Sequence, residues 1–198
     1  MTGSFDRFAG WASILAGLAG LGYAVAFVVL KNGALSAQLL TLAPLFAVAG
    51  LVAVFERVRT IDAGYATVAL ALGAFGSLAA SSHGVYDLAN VLHPPAAALP
   101  ADVPSALDPR GYATFALTGL ALLLFAGLAS RSRDLPGWVG PLGLILGVVL
   151  VLTFLARLVV LDATSLLVLG PALVSGVLSP IFFLLLGAWL LGWRRPAG

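Results

Sequence analysis

Cysteine is missing altogether from this sequence. That excludes disulfides, thiolate metal sites and cysteine nucleophiles, and any metal centre would have to draw on two histidines and eight acidic residues. Charge is nearly as scarce: only 9% of the 198 residues are Asp, Glu, Lys or Arg, where a soluble domain carries about a quarter. Lysine occurs once, at Lys31, against nine arginines. No glycine-rich phosphate loop, Rossmann fingerprint or facing haem-type histidine pair is present, so no cofactor is implied. The net charge of +2 is a small arginine excess in an uncharged background and gives nucleic-acid binding no support.

What is present is apolar. Hydrophobic residues make up 61% of the chain and the mean hydropathy is +1.10, more apolar surface than a water-solvated domain of this size can hide. Runs near 20 residues long match a hydrocarbon core of about 30 Å at 1.5 Å rise per residue. The fold class read from them is all-α, an integral membrane bundle of six transmembrane helices forming one domain over 1–198. The spans are about 8–30, 35–55, 63–91, 111–130, 138–160 and 164–193, with an extracytoplasmic loop over 93–110. Charged or turn-forming groups punctuate them: Lys31-Asn32-Gly33, Glu56-Arg57-Val58-Arg59, His93-Pro94-Pro95 and Arg131-Ser132-Arg133-Asp134. The third run exceeds what one crossing needs, and Pro171 with Pro180 predicts a kinked or locally broken sixth helix. The first run is longer than a signal-peptide core and opens on Asp6 beside Arg7, so it reads as a retained span.

Arg7, Arg57, Arg59, Arg131, Arg133, Arg194 and Arg195 fall on one side of this arrangement, and only Lys31, Arg110 and Arg157 on the other. Positive charge marks the cytoplasmic side, so both termini are expected inside. The abundance of Ala, Gly, Leu and Val, with nine Arg to one Lys, fits a GC-rich bacterial genome, which makes a bacterial inner membrane the expected location. Trp11, Trp138, Trp189 and Trp193 lie at span ends on the same arginine-rich side, where indole rings favour the headgroup layer. The charges of Glu56, Arg57, Arg59 and Asp62 read as a solvated turn that touches lipid headgroups.

Small residues recur every four positions at Ala12, Ala16, Gly20 and Ala24, at Gly73, Ser77 and Ser81, and at Gly143 and Gly147. Such ridges let helix backbones approach closely, either within the bundle or across a homo-oligomer or membrane-partner seam.

The segment Ser81–Asn90 carries the candidate chemistry. His83 and Asp87 are one turn apart, Asn90 continues the line, and Ala80 and Gly76 extend it on a small-residue face expected to look inward. Counting from Ala63 puts His83 roughly 30 Å along its helix, near the outer boundary. Arg157 reaches a similar depth in the fifth span, so His83, Asp87, Asn90, Arg157 and Asp162 form the expected polar cluster. His93 and Arg110 are expected on the same extracytoplasmic side, where they would complete it, and Asp87 or Asp162 is the expected partner of Arg157.

Several of these stretches resemble an uncharacterised bacterial family of small six-helix membrane proteins, known as domain of unknown function 4386. The resemblance is carried by His83-Gly84-Val85-Tyr86-Asp87-Leu88-Ala89-Asn90, Asp108-Pro109-Arg110-Gly111, Leu135-Pro136-Gly137-Trp138 and Arg157 with Leu161-Asp162-Ala163-Thr164. It covers the chain from the third span onward more than the first two. It implies the fold and the membrane location and brings no chemistry. The functional expectation is therefore a non-enzymatic structural or binding protein, or a subunit of a membrane complex, with the lipid bilayer as its constant partner. A small transporter or channel is the alternative suggested by the prolines of the sixth span. A membrane hydrolase using His83 and Asp87 around a metal comes second, since two histidines make a poor ligand set.

Overall fold

The structure, a computed structural model, describes residues 3–94, 112–160 and 165–193, the side chains of Tyr112 and Ala113 excepted. Every regular element among them is helical. Helix α1 (Ser4–Ala24) runs on into a π-helical turn (Val25–Val29), followed by α2 (Gly33–Val58) and α3 (Ala63–Leu92). A second π-helical segment (Tyr112–Leu117) leads into α4 (Thr118–Ala129), and α5 (Val139–Val159) and α6 (Leu166–Leu190) complete the bundle. Five of these helical stretches are long and apolar enough to cross a membrane; the stretch Thr114–Ala129 is apolar but shorter.

Helix starts follow local chemistry. Asn32 Oδ1 accepts the Leu35 N–H at 3.0 Å, Asp62 Oδ1 accepts that of Tyr65 at 3.1 Å, and Ser165 Oγ accepts that of Leu167 at 3.4 Å. Each satisfies an amide that the first helical turn leaves without a carbonyl. The stop of α1 is less ordinary. Leu30 N–H donates to the Val25 carbonyl at 3.0 Å and Asn32 N–H to the Ala26 carbonyl at 2.9 Å, closing the helix through Lys31 at φ +50°. Glycine usually occupies that left-handed position, because a Cβ there crowds the backbone. Lys31→Gly is therefore expected to raise stability by up to about 1 kcal/mol. Thermal unfolding in detergent micelles checks this, and a clear fall in midpoint would contradict the left-handed geometry.

Helices adjacent in sequence pack side by side, and α6 closes against α1, so the six form a ring in chain order. The register is antiparallel throughout: Gly10 faces Gly187 and Gly17 faces Pro180, Gly22 meets Leu39 while Gly50 meets Ser13, and Gly73 meets Leu51 while Gly84 meets Thr41. Two backbones come so close that a Cβ has no room. One built on Gly84 would lie 2.5 Å from the Thr41 amide nitrogen, and one on Gly187 would lie 2.6 Å from the Gly10 carbonyl oxygen. Of the expected ridges, Ala12, Ala16, Gly73, Ser77, Ser81, Gly143 and Gly147 are buried inside the chain, while Gly20 and Ala24 are half-buried. Pro171 and Pro180 sit within α6 without breaking it, and Pro44 within α2 likewise. Pro180 packs its ring on the bare backbone of Gly20 and so fills the α1–α6 seam within an unbroken helix.

The core is lopsided. Leu51, Val54 and Val58 of α2, Leu122, Phe125 and Leu128 of α4, Val139 and Leu146 of α5, and Phe182, Leu186 and Leu190 of α6 make one cluster, with Ala9, Ala66 and Ala69. Most of it lies in the half of the bundle that holds both chain ends, here the termini end. The outward faces stay apolar: Phe75 is 66% exposed, Leu144 51% and Leu173 55%. An apolar surface this extensive on a helical bundle is what lipid requires and water penalises.

Candidate functional site: an open cleft at the far end

At the opposite end the helices leave room. An open cleft of about 410 Å³ lies between the end of α1, the start of α2 and the last turns of α3, a size within the range of small-molecule sites. Tyr23 of α1 and Phe27 of the π-helical turn wall one side, their rings stacked 5.7 Å apart. Lys31 and Asn32 form the rim, with Ser36 behind them on α2; Asp87 and Asn90 of α3 face them. The π-helical turn has a direct consequence here, since it carries Phe27 and ends at the turn that sets Lys31 on the rim.

Asp87 is held in place by its own helix. His83 Nε2 lies 3.3 Å from Asp87 Oδ2, with the two side chains 21% and 41% exposed, so the carboxylate keeps a face open to the cleft while the imidazole steadies it from below. The stripe continues as expected through the buried Ala80 and Gly76. Among the described residues Lys31 forms no ion pair, with Asp87 or with any other carboxylate.

The remaining members of the expected cluster lie elsewhere. Asp87 pairs with His83 and not with Arg157, whose guanidinium carbon lies 5.8 Å from the Phe115 ring, between α5 and the π-helical entry to α4. The expectation of that pair rests on equal depth along the membrane, which says nothing of ring order, and α4 lies between α3 and α5. Asp162 and Arg110 fall outside the described residues. His93 ends α3 as an exposed residue that takes no part in the cleft lining. Among the described residues no three His, Asp or Glu side chains converge as a metal site would require.

A second polar feature appears at the termini end, and it corrects the reading of the Glu56–Asp62 turn. Arg59 and Glu56 do form an exposed pair at 2.9 Å, but Arg57 turns inward. Its Nη1 donates to the Ala53 carbonyl at 2.7 Å and its Nη2 to Asp6 Oδ1 at 2.8 Å, and its guanidinium carbon sits 4.9 Å from the Trp189 ring centroid. One side chain, 19% exposed, thereby ties α1, α2 and α6 together. Nearby Trp11 meets Trp193 edge to face at 5.5 Å, which brings the two ends of the chain to the same end of the bundle.

Tyr23, Lys31, Asn32 and Ser36 escape sequence reasoning as site residues. Lys31-Asn32-Gly33 is legible only as a turn, and nothing in the spacing says that this turn stands over Asp87. The signal that would have found them is register: α2 and α3 run antiparallel through Gly84 opposite Thr41, which sets Gly33 opposite Val91 and the turn beside Asn90.

No protein-family profile, no curated protein and no solved structure matches this chain.

Proposed function

We propose that this protein is a six-span membrane protein with both termini in the cytoplasm, and that it binds a small polar ligand at its outer face without chemically transforming it. The observation that carries the reading is the unequal filling of the bundle. Polar side chains of the far end gather around an open cleft, while the termini half is closed by Leu, Val, Phe and Ala. A transporter needs polar groups along a path from one face to the other. Among the described residues the buried polar side chains are hydroxyls only, those of Ser13, Ser36, Ser77, Ser81, Thr153 and Ser175. Binding at one face is favoured over passage.

The orientation follows from the charges. Arg7, Arg57, Arg59, Arg131 and Arg133 lie at the termini end, and Lys31 and Arg157 toward the other. This sorting supports a cytoplasmic termini end.

Because the natural chain has no cysteine, single-cysteine variants report accessibility without background. Asn90→Cys, in the cleft, is expected to react with a membrane-impermeant maleimide added to intact cells. Thr60→Cys, at the exposed termini-end turn, is expected to react only after lysis, and Ser13→Cys, fully buried, in neither case. Reaction of Thr60→Cys in intact cells would invert the topology. An Asn90→Cys variant that stays unlabelled even after lysis would mean a closed cleft and would remove the binding reading.

A further inference from the structure

The geometry points to a small zwitterion as the occupant of the far-end cleft: an ammonium and a phosphate joined by a short chain, with the phosphate at Lys31 and the ammonium at Asp87. The inference rests on the ligand-binding reading of that cleft and adds the class of ligand.

It follows from how charge is laid out across the opening. On one wall α2 begins at Gly33, and a helix start carries partial positive charge and amides that point outward. Lys31 stands on the same rim, so both features draw an anion. The carbonyls of Val25 and Ala26, in the π-helical turn beside this rim, are occupied by the amides of Leu30 and Asn32. On the facing wall α3 is ending, and a helix end carries partial negative charge. Asp87 adds a full charge of the same sign, so that wall draws a cation.

The two walls do not neutralise each other. Lys31 and Asp87 border one cleft, yet no ion pair joins them. A simple cation would meet Lys31, and a simple anion would meet Asp87, each at a like-charge cost. Only a ligand with both charges satisfies both walls. The stacked Tyr23 and Phe27 supply an aromatic wall for the short chain between its charged ends, and cations also favour such rings. Asn32 and Asn90 add amide groups that can donate or accept.

The same headgroup chemistry comes from a soluble molecule or from a membrane lipid, and the test separates them. The full-length protein in detergent micelles is titrated with phosphoethanolamine, ethanolamine and inorganic phosphate, and separately with phosphatidylethanolamine and phosphatidylglycerol, following binding calorimetrically and by thermal midpoint. Phosphoethanolamine is expected to bind at least about tenfold more tightly than either of its halves. Asp87→Asn and Lys31→Gly should each weaken it by about tenfold, with the ligand-free midpoint of Lys31→Gly unchanged or raised, which separates lost binding from lost folding. Arg59→Gln, at the other end of the bundle, should leave affinity unaltered. If only phosphatidylethanolamine binds, with the same dependence on Asp87 and Lys31 and none for phosphatidylglycerol, the zwitterion is a lipid headgroup and the inference stands. Equal binding of the zwitterion and its halves, no binding of either zwitterion, or binding undiminished in both variants overturns it. In the first two cases a cleft that still labels at Asn90→Cys would leave the broader binding reading in place.

Discussion

Gly84→Leu is expected to cost the bundle at least about 3 kcal/mol, enough to leave little folded protein after extraction in detergent. The usual penalty for overpacking arises because a larger side chain displaces other side chains, which can rotate. Here the obstacle is backbone. A Cβ at position 84 would lie 2.5 Å from the Thr41 nitrogen and 2.8 Å from the Leu40 carbonyl carbon, so α2 and α3 must separate along their whole seam. Close approach is also what holds these helices together, since lipid offers no hydrophobic reward for their association. The comparison is Gly127→Leu on α4, where a Cβ meets nothing within 4 Å. That variant should unfold within about 0.5 kcal/mol of the natural protein. Circular dichroism melts and size-exclusion profiles of the two variants check the pair, and equal behaviour would show that the α2–α3 distance is greater than described.

Removing Arg57 has the second largest expected effect. Arg57→Ala takes away a bond to Asp6, a bond to the Ala53 carbonyl and the cation stacked on Trp189, and leaves the Asp6 carboxylate, 28% exposed, without its counter-charge. A fully buried pair broken in this way costs about 3–5 kcal/mol, and partial exposure lowers the expectation to about 2 kcal/mol. A double-mutant cycle with Asp6→Ala should return a coupling of about 1–2 kcal/mol. The exposed Glu56–Arg59 pair, two residues away, should return less than about 0.5 kcal/mol in the same cycle. The contrast is the informative part. If the two couplings were equal, Arg57 would be an ordinary solvated arginine and the three-helix tie would not exist.

Arg57 also shows why the candidate features were only partly legible. Glu56, Arg57, Arg59 and Asp62 are similar in sequence, four charges at the close of an apolar run, and a single reading covers them all. What divides them is which side of α2 faces Asp6 and Trp189, residues at distant places in the chain. The same holds at the far end. His83 and Asp87 are paired by helical spacing alone, so their contact at 3.3 Å could be read directly from a four-residue interval. The assignment of Arg157 to Asp87 required knowing the neighbours of α3. Equal depth is a coordinate along the membrane and carries no information about the position around the ring.

Composition and periodicity by themselves determined that this is a helical, lipid-compatible chain. They also determined where its apolar runs begin and end, because a backbone in hydrocarbon must bond to itself and a charge there must find a reason to stay. Local spacing determined the His83–Asp87 pair, since it needs only residues within one helical turn. The tertiary structure alone decided that Lys31 and Asn90 share a cleft, that Pro180 seats on Gly20 instead of breaking its helix, and that Arg57 points inward. Those outcomes depend on the order and rotation of helices around the ring, which close contacts between bare backbones impose and no single span encodes.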